Sequence, residues 1–312
     1  MTMKVRFAGL TLAGLAACFL PVMGFGQTPV LVDSAWLTQH LNDGGVAILH
    51  VGDAAGYAAG HIPGARQISV ADVSQPGSLS VDPRNGTSKE LAFELASDSV
   101  LRQKFASLGV SDATPIVLYA GPRQPNPAVT RIAAVLQHLG LGQKLWLLNG
   151  GQAAWTNDGH PVTADAPPVV AGSIAPNTIT KTSAKNGSEN FVDADFVKSI
   201  PGRAGFKLID ARAANYFKGE EATFGKSGHI PGAVNIPFTT MADGAQKFDV
   251  ERIAQVFKTA GVKPGDKLVV YCHIGMTATE VIFGARLLGY EAMLYDGSFQ
   301  DWAVNERGPV EK

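Results

Sequence analysis

Cysteine is nearly absent from this sequence. Two occur in 312 residues, Cys18 and Cys272, too few for a disulfide framework. Charge is sparse as well: 17% of residues are charged and the formal net charge is −1. No basic stripe interrupts that balance, which excludes nucleic acid as an expected partner. The seven histidines are scattered and form no ligand cluster with the cysteines, so no metal is expected. No Gly-rich phosphate loop follows the first strand of either half, and no nucleotide cofactor is expected. What the chain does have is glycine (35 residues) and a hydrophobic content of 46%. That is enough for two compact α/β cores joined by many tight turns.

Residues 1–26 read as an export signal. Met1 to Arg6 is a short basic start, Phe7 to Phe25 is apolar and uncharged, and Gly24-Phe25-Gly26 is a small-x-small cleavage site. Pro21 and the late glycines fit a cleaved segment better than a membrane-spanning anchor. Leu15-Ala16-Ala17-Cys18 also matches a lipid-attachment pattern, but the residues that follow it (Phe19, Leu20, Val22, Met23) are apolar where a tether is polar. The expected product is periplasmic, begins at Gln27 and has no stable membrane span. It keeps one thiol, Cys272, which cannot pair within the chain.

The remainder is a repeat. His61-Ile62-Pro63-Gly64-Ala65 recurs as His229-Ile230-Pro231-Gly232-Ala233. Each copy follows a short apolar run ending in Asp, at Asp53 and Asp210. A second strand-like run comes next (Pro115 to Tyr119; Lys267 to Tyr271), then a helical stretch closed by Gly140 or Gly289. A third apolar run and a Trp (Trp155; Trp302) complete each unit. Short buried strands alternating with helices predict a parallel sheet flanked by helices in each half. The halves are 27–163 and 191–312. A linker at 164–190 is rich in Pro, Ala, Thr, Ser, Asn and Gly, and the first half carries an insertion at about 71–107.

Ligands in such sheets bind at the carboxyl ends of strands, so the strand-to-helix turns are the place to compare. The second half reads Tyr271-Cys272-His273-Ile274-Gly275-Met276-Thr277. The first reads Tyr119-Ala120-Gly121-Pro122-Arg123-Gln124-Pro125, with Ala120 opposite Cys272. Successive backbone N–H groups entering a helix can converge on one atom and stabilise a thiolate or a persulfide. Gly275 permits an unusual φ in the turn. Thr277 is placed to cap the helix or to offer its hydroxyl to the site. A lone Cys is more often a small buried core residue, but its absence from the twin turn favours chemistry.

The duplication, the His-Ile-Pro-Gly-Ala segments and the Cys-x-x-Gly-x-Thr loop together resemble the two-domain rhodanese family, the thiosulfate and 3-mercaptopyruvate sulfurtransferases. The resemblance covers essentially the whole chain after residue 26. It implies an α/β fold of two tandem rhodanese-like domains, the first inactive and the second catalytic. It also implies a ping-pong reaction through a persulfide on Cys272, needing no cofactor. The donor would be a small anionic sulfur compound, and the acceptor cyanide or a thiol. Arg212, in Asp210-Ala211-Arg212, matches the family's anion-binding Arg. His273, Gly275, Met276 and Thr277 match its substrate loop. His61 matches a residue facing the cleft of mercaptopyruvate enzymes, although a His before such a turn is more often structural. His229 reads as structural, Phe217, Trp155 and Trp302 as core or cleft wall, and Lys218 and Lys226 as solvated.

The loop fits neither familiar version. Mercaptopyruvate enzymes carry a relay hydroxyl where this chain has Ile274, and a second Arg where it has Tyr216. Vertebrate-type thiosulfate enzymes carry two cations after the Cys, where this chain has His273 and Ile274. The missing relay hydroxyl and second Arg count against mercaptopyruvate and favour thiosulfate as donor. Cysteine-dependent phosphatases share the fold but need an Arg six residues after the Cys, and that position is Ala278. A persulfide carrier that docks a partner protein is the non-enzymatic alternative. A redox sensor would lack a resolving Cys.

Overall fold

The computed structural model describes residues 30–82, 89–141, 144–175 and 190–312. The signal segment, Cys18 and most of the linker lie outside these residues. The first repeat runs β1 (Val30–Val32), α1 (Ser34–His40), β2 (Ala47–Val51), α2 (Ala54–Ala59), β3 (Arg66–Ile68), α3 (Asp98–Ser107), β4 (Ile116–Ala120), α4 (Asn126–His138), β5 (Leu145–Leu148) and α5 (Gly151–Asn157). The second runs β6 (Phe191–Val192), α6 (Ala194–Lys198), β7 (Phe206–Asp210), α7 (Ala214–Phe217), a small hairpin β8 (Ala222–Thr223) and β9 (Lys226–Ser227), β10 (Ala233–Asn235), α8 (Val250–Thr259), β11 (Lys267–Tyr271), α9 (Ala278–Leu287), β12 (Ala292–Tyr295) and α10 (Ser298–Val304). The two main sheets have the orders β1-β5-β4-β2-β3 and β10-β7-β11-β12-β6, and every pairing within them is parallel. Read from opposite edges, the two orders are the same.

The sequence dictates this arrangement locally. β2 and β4 are buried at every position, as continuous apolar strands covered on both faces must be. Asp33 and Asp193 open the first helix of each repeat by accepting from Trp36 N–H (2.7 Å) and Phe196 N–H (2.8 Å). The repeat extends to side-chain bonds. Ile62 N–H donates to Tyr119 Oη (3.1 Å), as Ile230 N–H does to Tyr271 Oη (3.0 Å). Trp155 and Trp302 each donate an indole N–H to a proline carbonyl, Pro161 and Pro309, at 2.8 Å. The insertion holds two short 3-10 turns, at Ala71–Val73 and Pro76–Ser80, ahead of α3.

Strand register corrects one equivalence read from the sequence. Tyr119 lies opposite His50, and Tyr271 opposite Asp210. His50 is therefore the counterpart of Asp210, Gly52 of Arg212, and Asp53 of Ala213. Asp53 caps α2 by accepting from Gly56 N–H (2.6 Å). The shared Asp was a coincidence of local roles: one ends a strand and the other begins a helix.

Candidate active site

Cys272 is the first residue beyond β11 and is 1% exposed. Its N–H donates to Ser298 Oγ (3.1 Å), and that hydroxyl donates to the Tyr295 carbonyl (2.8 Å). The first turn of α10 supplies two further bonds. Phe299 N–H donates to the Cys272 carbonyl (3.0 Å), and Gln300 N–H to the His273 carbonyl (2.9 Å). These helix-end donors would otherwise lack partners. They fix the carbonyls of the loop, and so the direction of its amides.

The amides of residues 273–277 donate to no acceptor among the described residues. The twin loop behaves differently. Gly121 N–H donates to the Val51 carbonyl (2.9 Å), and Gln124 N–H to the Gly121 carbonyl (3.1 Å). Pro122 and Pro125 have no N–H to give. The same turn thus appears once with every donor of residues 121–125 but the Arg123 N–H spent or missing, and once with a run of free donors beside a thiol. That is the arrangement expected of an anion cradle.

Gly275 has φ +77°, and a Cβ there would collide with the Asp296 carbonyl and lie 2.8 Å from its Oδ1. The loop can take this course only with glycine. Met276 accepts from Thr279 Oγ1 at its carbonyl (2.7 Å), which ties the loop to α9. Thr277 does not cap α9 through its side chain, because it is itself in helical conformation. Its hydroxyl makes no hydrogen bond among the described residues.

His273 is half-buried, edge-on to Tyr216 (ring centroids 4.7 Å apart) and near Phe224 (6.4 Å). Burial, reinforced by the Arg212 charge and opposed by Asp210, lowers its pKa to about 4. It is neutral at pH 7 and does not replace the missing loop cations. Arg212 lies two residues beyond β7, the strand next to β11. Its guanidinium forms a buried ion pair with Asp210: Nε donates to Oδ1 (3.0 Å) and Nη2 to Oδ2 (2.6 Å). Nη2 also donates to the Gly228 carbonyl (2.7 Å), and the group lies 3.8 Å from the Phe299 ring centroid. Arg212 is 1% exposed. The fixed cation foreseen from the sequence is present, with its charge already matched by Asp210.

His61 is not brought to the loop. It is fully buried, stacked on Tyr57 (3.7 Å), and its ring nitrogens face the carbonyls of Tyr57 (2.9 Å) and Asp165 (3.2 Å). Its twin His229 stacks on Phe217 (3.7 Å) and bonds the Phe217 carbonyl (2.8 Å) in the same manner. The His of each His-Ile-Pro-Gly-Ala segment is a strut. The candidate substrate contact at His61 therefore gives way to a structural role, for the plain reason that its ring is packed on Tyr57 of its own repeat and bonded there and to the start of the linker.

Ser298 was missed by sequence reasoning. It has φ +52°, a region rare for residues other than glycine. Its counterpart is Gly151, at φ +58°. The signal was available in Gly150-Gly151 set against Gly297-Ser298, where the half that holds Cys272 alone carries a hydroxyl.

A family model for the rhodanese-like domain matches residues 33–158 and 193–305. The chain belongs to the rhodanese-like family. Among curated members of that family, the thiosulfate sulfurtransferase of Gallus gallus is 29% identical over 276 residues, covering 87% of this chain and 92% of that one. A probable 3-mercaptopyruvate sulfurtransferase of Pseudomonas aeruginosa is 31% identical over 258 residues, covering 81% and 85%. Sulfur carrier protein TtuD of Thermus thermophilus is 27% identical over 308 residues, covering 93% and 99%. Of solved structures, a variant of EanB in complex with ergothioneine superposes with a TM-score of 0.75 at 21% identity, covering 90% of this chain and 70% of that one. At that identity the likeness establishes the fold alone.

Proposed function

We propose that this chain takes the outer sulfur of thiosulfate onto Cys272 and hands it to cyanide or a thiol. Sulfur transfer itself follows from membership of the family, whose relatives across most of the chain are thiosulfate and 3-mercaptopyruvate sulfurtransferases. The observation that carries the site assignment is the run of free amides at 273–277 beside Cys272, set against the Ala120 loop, where Arg123 alone of residues 121–125 keeps a free N–H. The Cys272 thiolate attacks the outer sulfur of thiosulfate. The S–S bond of the donor breaks, sulfite leaves with the bonding pair, and a Cys272 persulfide anion remains. Cyanide then attacks the terminal sulfur, thiocyanate departs, and the thiolate is regenerated. Each half-reaction conserves charge, and neither requires a cofactor. The loop amides stabilise the anion in both forms of the enzyme.

Thiosulfate is preferred to 3-mercaptopyruvate because Ile274 offers no hydroxyl and Tyr216 no cation for a carboxylate. The basic start and apolar run of residues 1–26 support an exported form working in the periplasm. The test is mass spectrometry after incubation with thiosulfate. A gain of one sulfur on the peptide holding Cys272, removed by cyanide, is expected. Cys272→Ser should show neither the adduct nor thiocyanate formation, and full turnover by that variant would overturn the assignment. Turnover near background with both thiosulfate and 3-mercaptopyruvate, together with a stable adduct, would favour a carrier instead.

A further inference from the structure

The first repeat has no nucleophile, yet it reaches the catalytic loop of the second. Arg131 lies on α4 and is fully buried. Its Nη1 donates to Asp296 Oδ1, and its Nη2 to Asp296 Oδ2 (3.3 Å). Nη1 also lies 3.5 Å from the Gly275 carbonyl, in the middle of the loop, and Nη2 donates to the Phe93 carbonyl (3.1 Å). Leu95 N–H adds a further bond from the first repeat to Asp296 Oδ2 (3.3 Å). Asp296 in turn is the wall against which Gly275 packs, so closely that no side chain fits between them. A second tie runs nearby, where Ala92 N–H donates to Gln300 Oε1 (2.9 Å) while Gln300 N–H holds the His273 carbonyl (2.9 Å).

We propose that Arg131 is a positioning residue for sulfur transfer: by holding Asp296 and the Gly275 carbonyl, it keeps the amides of the second repeat's loop directed at Cys272. The inference rests on Cys272 as the nucleophile. A planar guanidinium suits the task because two of its edges can serve a carboxylate and a carbonyl at once. An ammonium would hold Asp296 but not both groups in one plane. The repeat that carries no cysteine is thus a part of the site.

The test compares Arg131→Gln and Arg131→Lys with the wild-type chain. Two readouts are used: thiosulfate:cyanide kinetics, and the rate of Cys272 alkylation by iodoacetamide across pH. Arg131→Gln should lower kcat/KM by about 10- to 100-fold, the scale of a misplaced site, with most of the loss in kcat. Its alkylation curve should move to higher pH, because a splayed loop supports the thiolate less well. Arg131→Lys should recover part of both. Asn149→Ala removes a different contact between the repeats, the pair of bonds to the Phe248 backbone, and should move neither curve. If Arg131→Gln does not fold, Asp296→Asn, which keeps the shape and removes the charge, is read in the same two assays. Unchanged kinetics and an unchanged alkylation curve in a folded variant would overturn the proposal. Alkylation does not involve the donor, so a failure of the thiosulfate assignment leaves this readout intact.

Discussion

At the scale of single residues, the site is set by what surrounds Cys272 more than by the thiol itself. His273 shows this. It occupies a place where related thiosulfate enzymes are expected to carry a cation, yet burial and the Arg212 charge hold it neutral above about pH 4. Thiosulfate is a dianion, so its affinity for this loop should be modest and should show no histidine step near pH 6.5. His273→Arg supplies a charge that burial cannot remove. The thiosulfate KM should fall severalfold in that variant while kcat changes less, which steady-state kinetics over a range of donor concentrations would reveal. An unchanged KM would mean that the donor does not pass His273. Ser298 is the second case. Its hydroxyl accepts from the Cys272 N–H in a fully buried setting. Ser298→Ala leaves that donor without a partner, which costs about 1–3 kcal/mol. Urea unfolding should register the loss directly. Neither effect was visible in the sequence, because a histidine's burial and a serine's φ belong to the packed molecule. The candidacy of Cys272 was visible, because the repeat printed the same turn a second time with Ala120 in its place.

At the scale of elements, the sequence disclosed the fold well and its registers less well. Apolar runs, the two His-Ile-Pro-Gly-Ala turns and the closing glycines placed strands and helices close to where they lie. The Asp53–Asp210 equivalence failed because a carboxylate serves equally to end a strand beside an arginine and to begin a helix, and only hydrogen-bond register separates the two. That register also accounts for the different surroundings of the first turn. His50 fills the space that Arg212 and His273 take up in the second repeat. It bonds Tyr119 Oη at 3.0 Å, and its Nε2 lies 2.8 Å from where a Cβ of Gly52 would sit. Ala120→Cys should therefore gain no sulfurtransferase activity in a Cys272→Ser background. It would restore the nucleophile but not the run of free amides, since Gly121 N–H is bonded to Val51, Gln124 N–H to Gly121, and the prolines have none, which leaves only Arg123 N–H. Thiocyanate formation above the Cys272→Ser background would show that the thiol alone suffices.

At the scale of the whole molecule, α4 and α9 pack across the relation between the repeats. Thr130 and its counterpart Thr279 share a hydrogen bond at 2.8 Å, and Gln137 and its counterpart Arg286 form another. Burying this interface and the sheet ends beside it displaces four titrations in opposite senses. His50 and His273 are held down to about 4, chiefly by burial. Glu94 and Glu280 are pushed up to about 7, again chiefly by burial, with the Asp296 charge adding to the effect on Glu94. Each histidine binds its proton more readily in the unfolded chain, so its contribution to stability is present above pH 6.5 and is lost as pH falls toward 4. Each glutamate binds its proton more readily in the folded chain, so its contribution is present below pH 4.5 and is lost as pH rises through 7. Single shifts of this size are worth roughly 3 kcal/mol at most. Two of each sign should nearly cancel between about pH 4.5 and 6.5, leaving the urea midpoint of the wild-type chain almost level there. Glu94→Gln combined with Glu280→Gln removes one side of the balance, and stability should then fall as the pH is lowered from 6.5. His50→Asn combined with His273→Asn removes the other side, and stability should rise over the same change. Urea unfolding of the three proteins at several pH values separates these outcomes. A level midpoint in the double glutamate variant would show that the buried histidines do not govern the acid response.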